Sequence, residues 1–212
     1  MVFTAFCAVG LFSIEPAFDV ERTMGRKVPY VARFLDLCQT ELGSMYSYDV
    51  MIVLPKAGDA KLPSNLEKLD KLSRIAQTYK LTKRHNSILD IIKDMNCTLN
   101  ANKDSAYTIP HDPNMVAQLL LLYENAGGTE AEYWMDYDYK RLRLQIELNS
   151  YNSNEAEKEM QLIEQEAQKL FPNAHVSAVG NIPQFTAMQQ YVERGQMWSM
   201  LLSNYQDRKS VV

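Results

Sequence analysis

The chain has 212 residues, of which 46% are hydrophobic and 23% are charged, and its formal net charge is −4. This balance suits one or two small soluble domains with a real hydrophobic core. It argues against a nucleic-acid-binding protein, because binding to phosphates needs a basic surface. The three cysteines, at positions 7, 38 and 97, have neither CxxC nor metal-type Cys/His spacing, so we predict small buried side chains there and no zinc or redox chemistry.

The chain opens with an uncharged, mostly apolar segment at residues 2–14, which changes abruptly at Glu15 and Pro16. A helix that spans a membrane needs about 20 apolar residues, and this segment is shorter. Two interpretations are open: a buried element of a soluble domain, or the C-terminal end of a transmembrane helix at residues 1–14. The abrupt change favours the second. Because residues 204–212 are polar and carry no structural signal, we expect the chain to be a piece of a longer protein.

Residues 15–45 combine a charged connector with a predicted helix. Pro29 can open this helix, apolar side chains recur at helical spacing up to Leu42, and Gly43 stands where a C-terminal cap is common. The segment therefore links the apolar stretch to the folded part of the chain.

Residues 46–86 predict a first strand–helix–strand unit. The run at 46–54 is rich in β-branched and aromatic residues and ends in a continuous apolar stretch, which predicts a central strand covered on both faces. A helix follows, with capping-box spacing at Ser64 and Glu67 and an apolar residue every three to four positions. A short second strand is predicted at residues 80–85.

Residues 87–128 are helical in character and predict an insert between two units. An amphipathic helix opens the insert, and Pro113 can start another helix at residues 114–125. Apolar side chains, Leu119 and Leu122 among them, cover more than one face of this second helix. Such a helix must pack on a large surface, either another subdomain or a membrane, and a core helix is the commoner case.

Residues 129–182 predict a second unit, and residues 183–212 predict a closing helix. The strand at residues 141–148 is the clearest in the chain, because its Leu and Ile side chains alternate with Arg, Gln and Glu and so separate a core face from a water face. We expect it to form a hairpin with residues 130–135. A helix with a regular apolar stripe and a last strand complete the unit.

The order of these elements predicts an α+β fold. It contains two strand–helix–strand units, each with a helix that covers a small sheet, as in ferredoxin-like sandwiches. Right-handed crossovers would place both helices on one side of the strands.

The sequence contains no Gly-rich phosphate loop and no catalytic or zinc-binding motif. His111 with Asp112, and Asp136 with Asp138, are the pairs closest to an acid–base arrangement. A capping role for Asp112 before Pro113 and the frequency of Asp in turns explain both pairs without chemistry. We therefore assign no catalytic, cofactor-binding or metal-binding residue and predict that the chain is not an enzyme. An enzyme would need these residues to converge in one pocket.

Three aromatic residues, Trp134, Tyr137 and Tyr139, crowd the turn that precedes the clearest strand. We call residues 134–139 the aromatic turn. Its rings could form a platform for a ligand, but packing or a protein interface is the commoner role for such a cluster.

Several landmarks follow one another along the chain. They are the apolar stretch 2–14, the connector 18–30, the helix-to-strand entry 41–53, Ser-Ile-Leu-Asp-Ile-Ile-Lys-Asp-Met-Asn at 87–96, Tyr-Thr-Ile-Pro at 107–110, the predicted hairpin, Gly180, and Gly-Gln-Met-Trp-Ser at 195–199. In their order and spacing they resemble one large extracytoplasmic loop of a resistance–nodulation–division (RND) superfamily exporter of the MMPL or predicted-exporter kind. The resemblance covers nearly the whole chain.

The resemblance implies a proton-driven transporter of the bacterial inner membrane that exports lipidic or hydrophobic substrates. This segment would lie on the periplasmic side, as paired βαβ porter subdomains flanked by remnants of membrane helices. Its partners would be the other parts of the transporter and, in a homo-oligomer, further copies of it, with no role for nucleic acid. The proton-relay carboxylates of such exporters lie in membrane helices outside this chain, so none is assigned here.

Under this interpretation, we expect contacts between moving subdomains at the aromatic turn and at Leu119 and Leu122. The alternative is a soluble ferredoxin-like α+β module for ligand binding or regulation, in which residues 1–14 are an ordinary buried segment. Deletion of residues 1–14 separates the two, because it would spare a porter domain and unfold the soluble module.

Overall fold

The computed structural model describes residues 25–40, 44 and 46–209 of the chain. The predicted end of a membrane helix at residues 1–14, most of the connector, and the Gly43 cap lie outside the described residues. The described part has four strands: β1 (Tyr46–Val53), β2 (Thr82–Ser87), β3 (Arg141–Leu148) and β4 (His175–Val179). It has seven α-helices: α1 (Pro29–Gln39), α2 (Pro63–Gln77), α3 (Ile88–Leu99), α4 (Pro113–Asn125), α5 (Ala131–Trp134), α6 (Ser153–Leu170) and α7 (Asn181–Lys209).

The four strands form one antiparallel sheet in the order β2-β3-β1-β4. β1 pairs with β3 from Tyr46↔Leu148 to Val53↔Arg141, and on its other side with β4 from Asp49↔Val179 to Val53↔His175. The sequence predicted a separate small sheet for each unit. The structure instead interleaves the two units, because the central strand of each one finds its neighbours in the other.

One face of the sheet is apolar and carries the core. The predicted alternation of β3 is confirmed, since the side chains that point to this face are all buried: Leu142, Leu144, Ile146 and Leu148. Opposite them in β1 lie three further buried side chains, Tyr48, Val50 and Ile52. Helices α2 and α6 contact each other and contribute their apolar residues to the same core. The fold is therefore α+β. The predicted helix of each unit contributes to the core on one face of a single sheet.

The central position predicted for β1 is confirmed, but its predicted cover on both faces is wrong. Its burial alternates along the strand, so Met51 and Val53 are half-buried while their neighbours are fully buried. The continuous apolar run suggested cover on both faces, but in a strand every second residue points to the opposite face of the sheet, whatever its polarity. In the neighbouring strand β3, the residues on that opposite face are polar.

The predicted hairpin between residues 130–135 and β3 is also wrong. Ala131–Trp134 is a single helical turn, and only an isolated bridge, Met135↔Leu142, connects this segment to β3. Both edges of β3 are already occupied, by β1 on one side and β2 on the other. Beyond β2, only residues 141–143 of that edge remain, and the single bridge to Met135 lies there, so no full hairpin partner can pair.

The helical insert belongs to the same core. Ile88, Leu89 and Ile92 of α3 are buried, as are Val116 and Leu119 of α4. The apolar helix 114–125 is thus a core helix on one side, which was the commoner of the two predicted cases.

The capping box occurs at a different helix from the one predicted. Ser64 lies inside α2, which begins at Pro63, and its predicted N-cap bond is not formed. The capping box occurs instead at the β2–α3 junction, where Leu89 N donates to Ser87 Oγ at 3.2 Å and Ser87 N donates to Asp90 Oδ2 at 2.9 Å. Proline at the first helical position fixes φ and has no N–H to satisfy, so it can start α2 without a side-chain cap.

The closing helix α7 begins in the core and then leaves it. Thr186 is buried and its Oγ1 lies 2.9 Å from the hydroxyl of Tyr151, whose ring packs on Phe185. Beyond this region the large apolar side chains of α7 are exposed: Met188, Tyr191, Val192, Met197, Trp198 and Leu202. With 29 residues, α7 is about 44 Å long, and its second half has an apolar surface that the described residues do not cover.

We predict that Ser87→Ala lowers the free energy of unfolding by about 1 kcal/mol, because it removes an N-cap acceptor. Ser64→Ala makes the same chemical change at an exposed helix position, so it should change stability by less than about 0.5 kcal/mol. Urea unfolding followed by circular dichroism measures both. Equal losses in the two variants would contradict the assigned capping box.

Candidate functional site

The aromatic turn is held in shape by the side chain of Asp136. Its Oδ1 accepts hydrogen bonds from Lys140 N at 2.6 Å and Arg141 N at 2.7 Å, while its carbonyl accepts from Tyr139 N at 2.9 Å. Tyr139 adopts a left-handed conformation with φ of 51°, which reverses the chain just before β3. Asp is suited to this position because its short carboxylate can accept from nearby backbone N–H groups.

The loop after β1 anchors the same turn from the other side. Gly58 N donates to the carbonyl of Asp138 at 2.9 Å, and Ala60 N donates to the carbonyl of Tyr139 at 2.9 Å. Lys61 Nζ lies 3.8 Å from the centre of the Tyr139 ring, a cation–π contact. Asp136 thus binds backbone N–H groups and Asp138 contributes its backbone carbonyl, which gives both residues a structural role in the turn.

A pocket of about 390 Å³ opens between the aromatic turn, α5 and the C-terminal end of α4. This volume lies in the range of small-molecule sites. Its apolar floor consists of Leu120, Ala131 and Met135, all of which are buried. Core residues therefore support the base of the pocket.

The rim of the pocket combines carboxylates with aromatic rings. Glu124, Glu132 and Asp136 supply the carboxylates, and Tyr137 and Tyr139 supply the rings. The Tyr139 hydroxyl donates to Glu124 Oε1 at 3.0 Å. Burial, and then this hydrogen bond, raise the pKa of the Tyr139 hydroxyl above its ordinary value, so it remains a donor at neutral pH. The Tyr137 ring is 88% exposed and free to contact a ligand or a partner.

Gly128 packs closely against the Tyr123 ring at the edge of the pocket. A Cβ atom at this position would lie 2.3 Å from the ring of Tyr123, which is far inside van der Waals contact. The Tyr123 hydroxyl lies 3.4 Å from Glu130 Oε2. The chain can thus turn tightly after α4 and bring α5 back beside it.

The structure separates the five residues predicted at a contact surface. Tyr137 and Tyr139 line the pocket. Trp134 is half-buried against the core, with its ring edge-on to that of Tyr133. Leu119 is buried in the core and cannot reach a partner, whereas Leu122 is 48% exposed on the outside of α4.

Sequence reasoning missed the helical side of the pocket. Leu120 and Glu124 lie one turn apart on α4, and Glu132 faces them from α5. The available signal was a carboxylate at the end of an apolar helix just before two glycines. That signal is weak, because a Glu at such a position is usually a solvated surface residue.

The polar face of the sheet is internally paired. Asp49 and Arg143 form an ion pair at 2.7 Å, and the Tyr133 ring lies 3.8 Å from the Arg143 guanidinium. Arg84 and Glu147 form a second pair at 2.7 Å. The sequence predicted that this side of β3 faces water, but Glu147 is only 8% exposed because its neighbours cover it. Paired charges of this kind stabilise register and offer little to a ligand.

The His111–Asp112 pair has the structural role that the sequence suggested. Asp112 Oδ1 accepts from Asn114 N at 2.9 Å and so caps α4. The His111 side chain is almost fully exposed, with its Nδ1 3.4 Å from Glu67 Oε1. The capping interpretation of Asp112 is confirmed.

Burial also shifts the pKa of three groups outside the pocket. Burial lowers the pKa of His85 and raises the pKa of Tyr48 and of Glu159. Glu159 nevertheless accepts a hydrogen bond from Leu81 N at 3.0 Å, which ties α6 to the start of β2. None of these three groups lines the pocket, so their shifts reflect packing.

Within the described ranges, no group of three or more His, Cys, Asp or Glu side chains is arranged to hold a metal ion. Among the helices in the part of the chain that the structure describes, none combines the length and the apolar composition needed to cross a membrane. Comparison with protein-family models gives no match for this chain, and comparison with curated proteins gives none either.

We predict that Asp136→Ala lowers the free energy of unfolding by about 1–2 kcal/mol, because two backbone N–H groups lose their acceptor. Asp138→Ala is the matched control: its side chain is exposed and makes no hydrogen bond with the described residues, so the loss should stay below about 0.5 kcal/mol. Thermal and urea unfolding measure both values. If Asp138→Ala cost as much as Asp136→Ala, the assigned structure of the turn would be wrong.

Proposed function

We propose that this chain is an extracytoplasmic porter domain of a proton-driven RND superfamily exporter of the MMPL or predicted-exporter kind. Such a transporter lies in the bacterial inner membrane and exports lipidic or hydrophobic substrates. The domain forms part of the periplasmic substrate path and moves as the membrane part cycles. It does not catalyse a reaction, and transport requires the membrane helices that flank it.

The observation that carries the proposal is the interleaved sheet. Its order β2-β3-β1-β4, with the helices α2 and α6 of the two units in contact on the apolar face, is compatible with a ferredoxin-like arrangement of paired βαβ units. This is the fold that the resemblance implies for a porter subdomain. Because many unrelated functions share this arrangement, it supports the proposal together with the ordered landmarks and not by itself.

The second half of α7 supports the same proposal. Trp198 and Leu202 are 66% and 60% exposed, on a helix that runs away from the core. Exposed apolar side chains on an extended helix need a partner surface. A helix that leads from the domain toward a following membrane segment would supply that partner from the other parts of the transporter.

The structure changes the set of residues proposed for contact with neighbouring subdomains. Leu119 is buried in the core, so it leaves the set. Tyr137 and Leu122 are the most exposed of the remaining four residues. With the half-buried Trp134 and Tyr139, they remain proposed to contact the rest of the transporter or a second copy.

A second candidate function is a soluble ferredoxin-like module for ligand binding or regulation. The pocket between α4 and the aromatic turn favours it, because a pocket of about 390 Å³ with a buried apolar floor is suited to a small molecule. Under this alternative, residues 1–14 are part of the fold and not the end of a membrane helix.

Deletion of residues 1–14 distinguishes the two proposals. For a porter domain, the deletion should move the protein from the membrane fraction to the soluble fraction and leave its unfolding midpoint within about 2 °C, because those residues add nothing to the core. Cell fractionation and thermal unfolding of the full and shortened chains provide the two readouts. Val50→Asp in the full chain serves as a reference for a disrupted core.

The exporter proposal would fail if the shortened chain unfolded like the Val50→Asp reference. It would also fail if the full chain were soluble and monodisperse without detergent. Either result would favour the soluble module.

A further inference from the structure

The pocket beside the aromatic turn has a negative and aromatic character. None of its lining residues, all of which the structure describes, is Lys, Arg or His. Three carboxylates and two tyrosine rings surround the buried floor of Leu120 and Met135. Such walls repel anions and leave the apolar floor available to the uncharged part of a ligand.

Two of the three carboxylates have no cationic partner among the described residues. Asp136 is satisfied by two backbone N–H groups and lies 3.8 Å from the Arg141 guanidinium. Glu124 accepts from the neutral hydroxyl of Tyr139, and Glu132 makes no ion pair within the described part of the chain. The pocket therefore holds uncompensated negative charge beside aromatic rings.

One of the two tyrosine rings at this site already contacts a cationic side chain of the protein. Lys61 Nζ lies 3.8 Å from the centre of the Tyr139 ring, within the range of cation–π attraction. The Tyr137 ring, which is 88% exposed, has no such partner among the described residues. It is thus available to cover a cation that enters the pocket.

We propose that this pocket binds a small organic cation, a quaternary ammonium group that carries a short uncharged substituent. The ammonium group lies against the Tyr137 ring and between Glu124 and Glu132, while the substituent contacts Leu120 and Met135. Quaternary ammonium is favoured over a metal ion because its charge is weakly hydrated and is attracted to aromatic faces. This inference goes beyond the exporter proposal and does not depend on it.

Choline, phosphocholine and 3,3-dimethylbutan-1-ol are the probes that test the proposal. Choline and the alcohol have the same shape and differ in the charged nitrogen, while phosphocholine adds the phosphate of a lipid headgroup. Titration of the full 212-residue chain by NMR or calorimetry should give choline an affinity about tenfold or more above the neutral alcohol. Phosphocholine should bind more weakly than choline, because its phosphate meets the carboxylates.

Matched variants locate the binding. Glu132→Gln and Tyr137→Leu should each weaken choline binding about three- to tenfold, whereas Tyr137→Phe keeps the ring and should bind like the parent chain. Asp94→Asn makes an equal charge change at an exposed residue of α3 outside the pocket and should have no effect. Circular dichroism verifies that each variant is folded.

Several results would overturn the proposal. They are equal binding of choline and 3,3-dimethylbutan-1-ol, no choline binding to the folded chain, or choline binding that is unaffected by Glu132→Gln and Tyr137→Leu. Tighter binding of phosphocholine than of choline would also overturn it, in favour of a lipid headgroup. The deletion of residues 1–14 tests the exporter proposal separately, so the two can fail independently.

Discussion

The pairing of β1 with both β3 and β4 is the constraint on which the rest of the structure depends. β1 comes from the first strand–helix–strand unit, and its two neighbours come from the second. Neither unit can complete its sheet alone, because each central strand would then expose an unpaired row of backbone groups. The buried side chains of β1, Val50 and Ile52, also meet their partners Leu144 and Leu142 only across this junction. The two halves of the chain therefore form one core.

The pocket is a consequence of the same junction. The loop that leaves β1 donates hydrogen bonds from Gly58 and Ala60 to the turn that enters β3, so the paired strands fix the aromatic turn at their common end. The Met135↔Leu142 bridge then sets α5 beside that end, and α4 closes the opposite wall with Leu120. The geometry of the candidate site thus follows from the register of β1 on β3, while two of its three carboxylates, Glu124 and Glu132, come from α4 and α5.

Local periodicity predicted the parts of the fold that depend on a single segment. The alternation along β3 identified its buried face correctly, since the period of a strand is fixed by its own backbone. The pairing partners of a strand could not be predicted in this way. Residues 130–135 were predicted to form a hairpin with β3, but β3 pairs with β1 and β2 instead. The capping box was placed at Ser64 because a hydroxyl and a carboxylate have the right spacing there, yet Pro63 starts the helix first. The pocket was missed because Leu120, Glu132 and Tyr137 converge only after α4 and the aromatic turn are packed.

Amide hydrogen exchange under native conditions tests the interleaved sheet most directly. If β1 is the shared central strand, the slowest amides of β1, β3 and β4 exchange through one global opening, with equal free energies and equal dependence on urea. The most informative amides are those of Val50 and Ile52 in β1, compared with Leu144 and Ile146 in β3. Exchange of β1 and β2 at a clearly lower free energy than β3 and β4 would mean that the two units fold as separate sheets, and it would contradict this account.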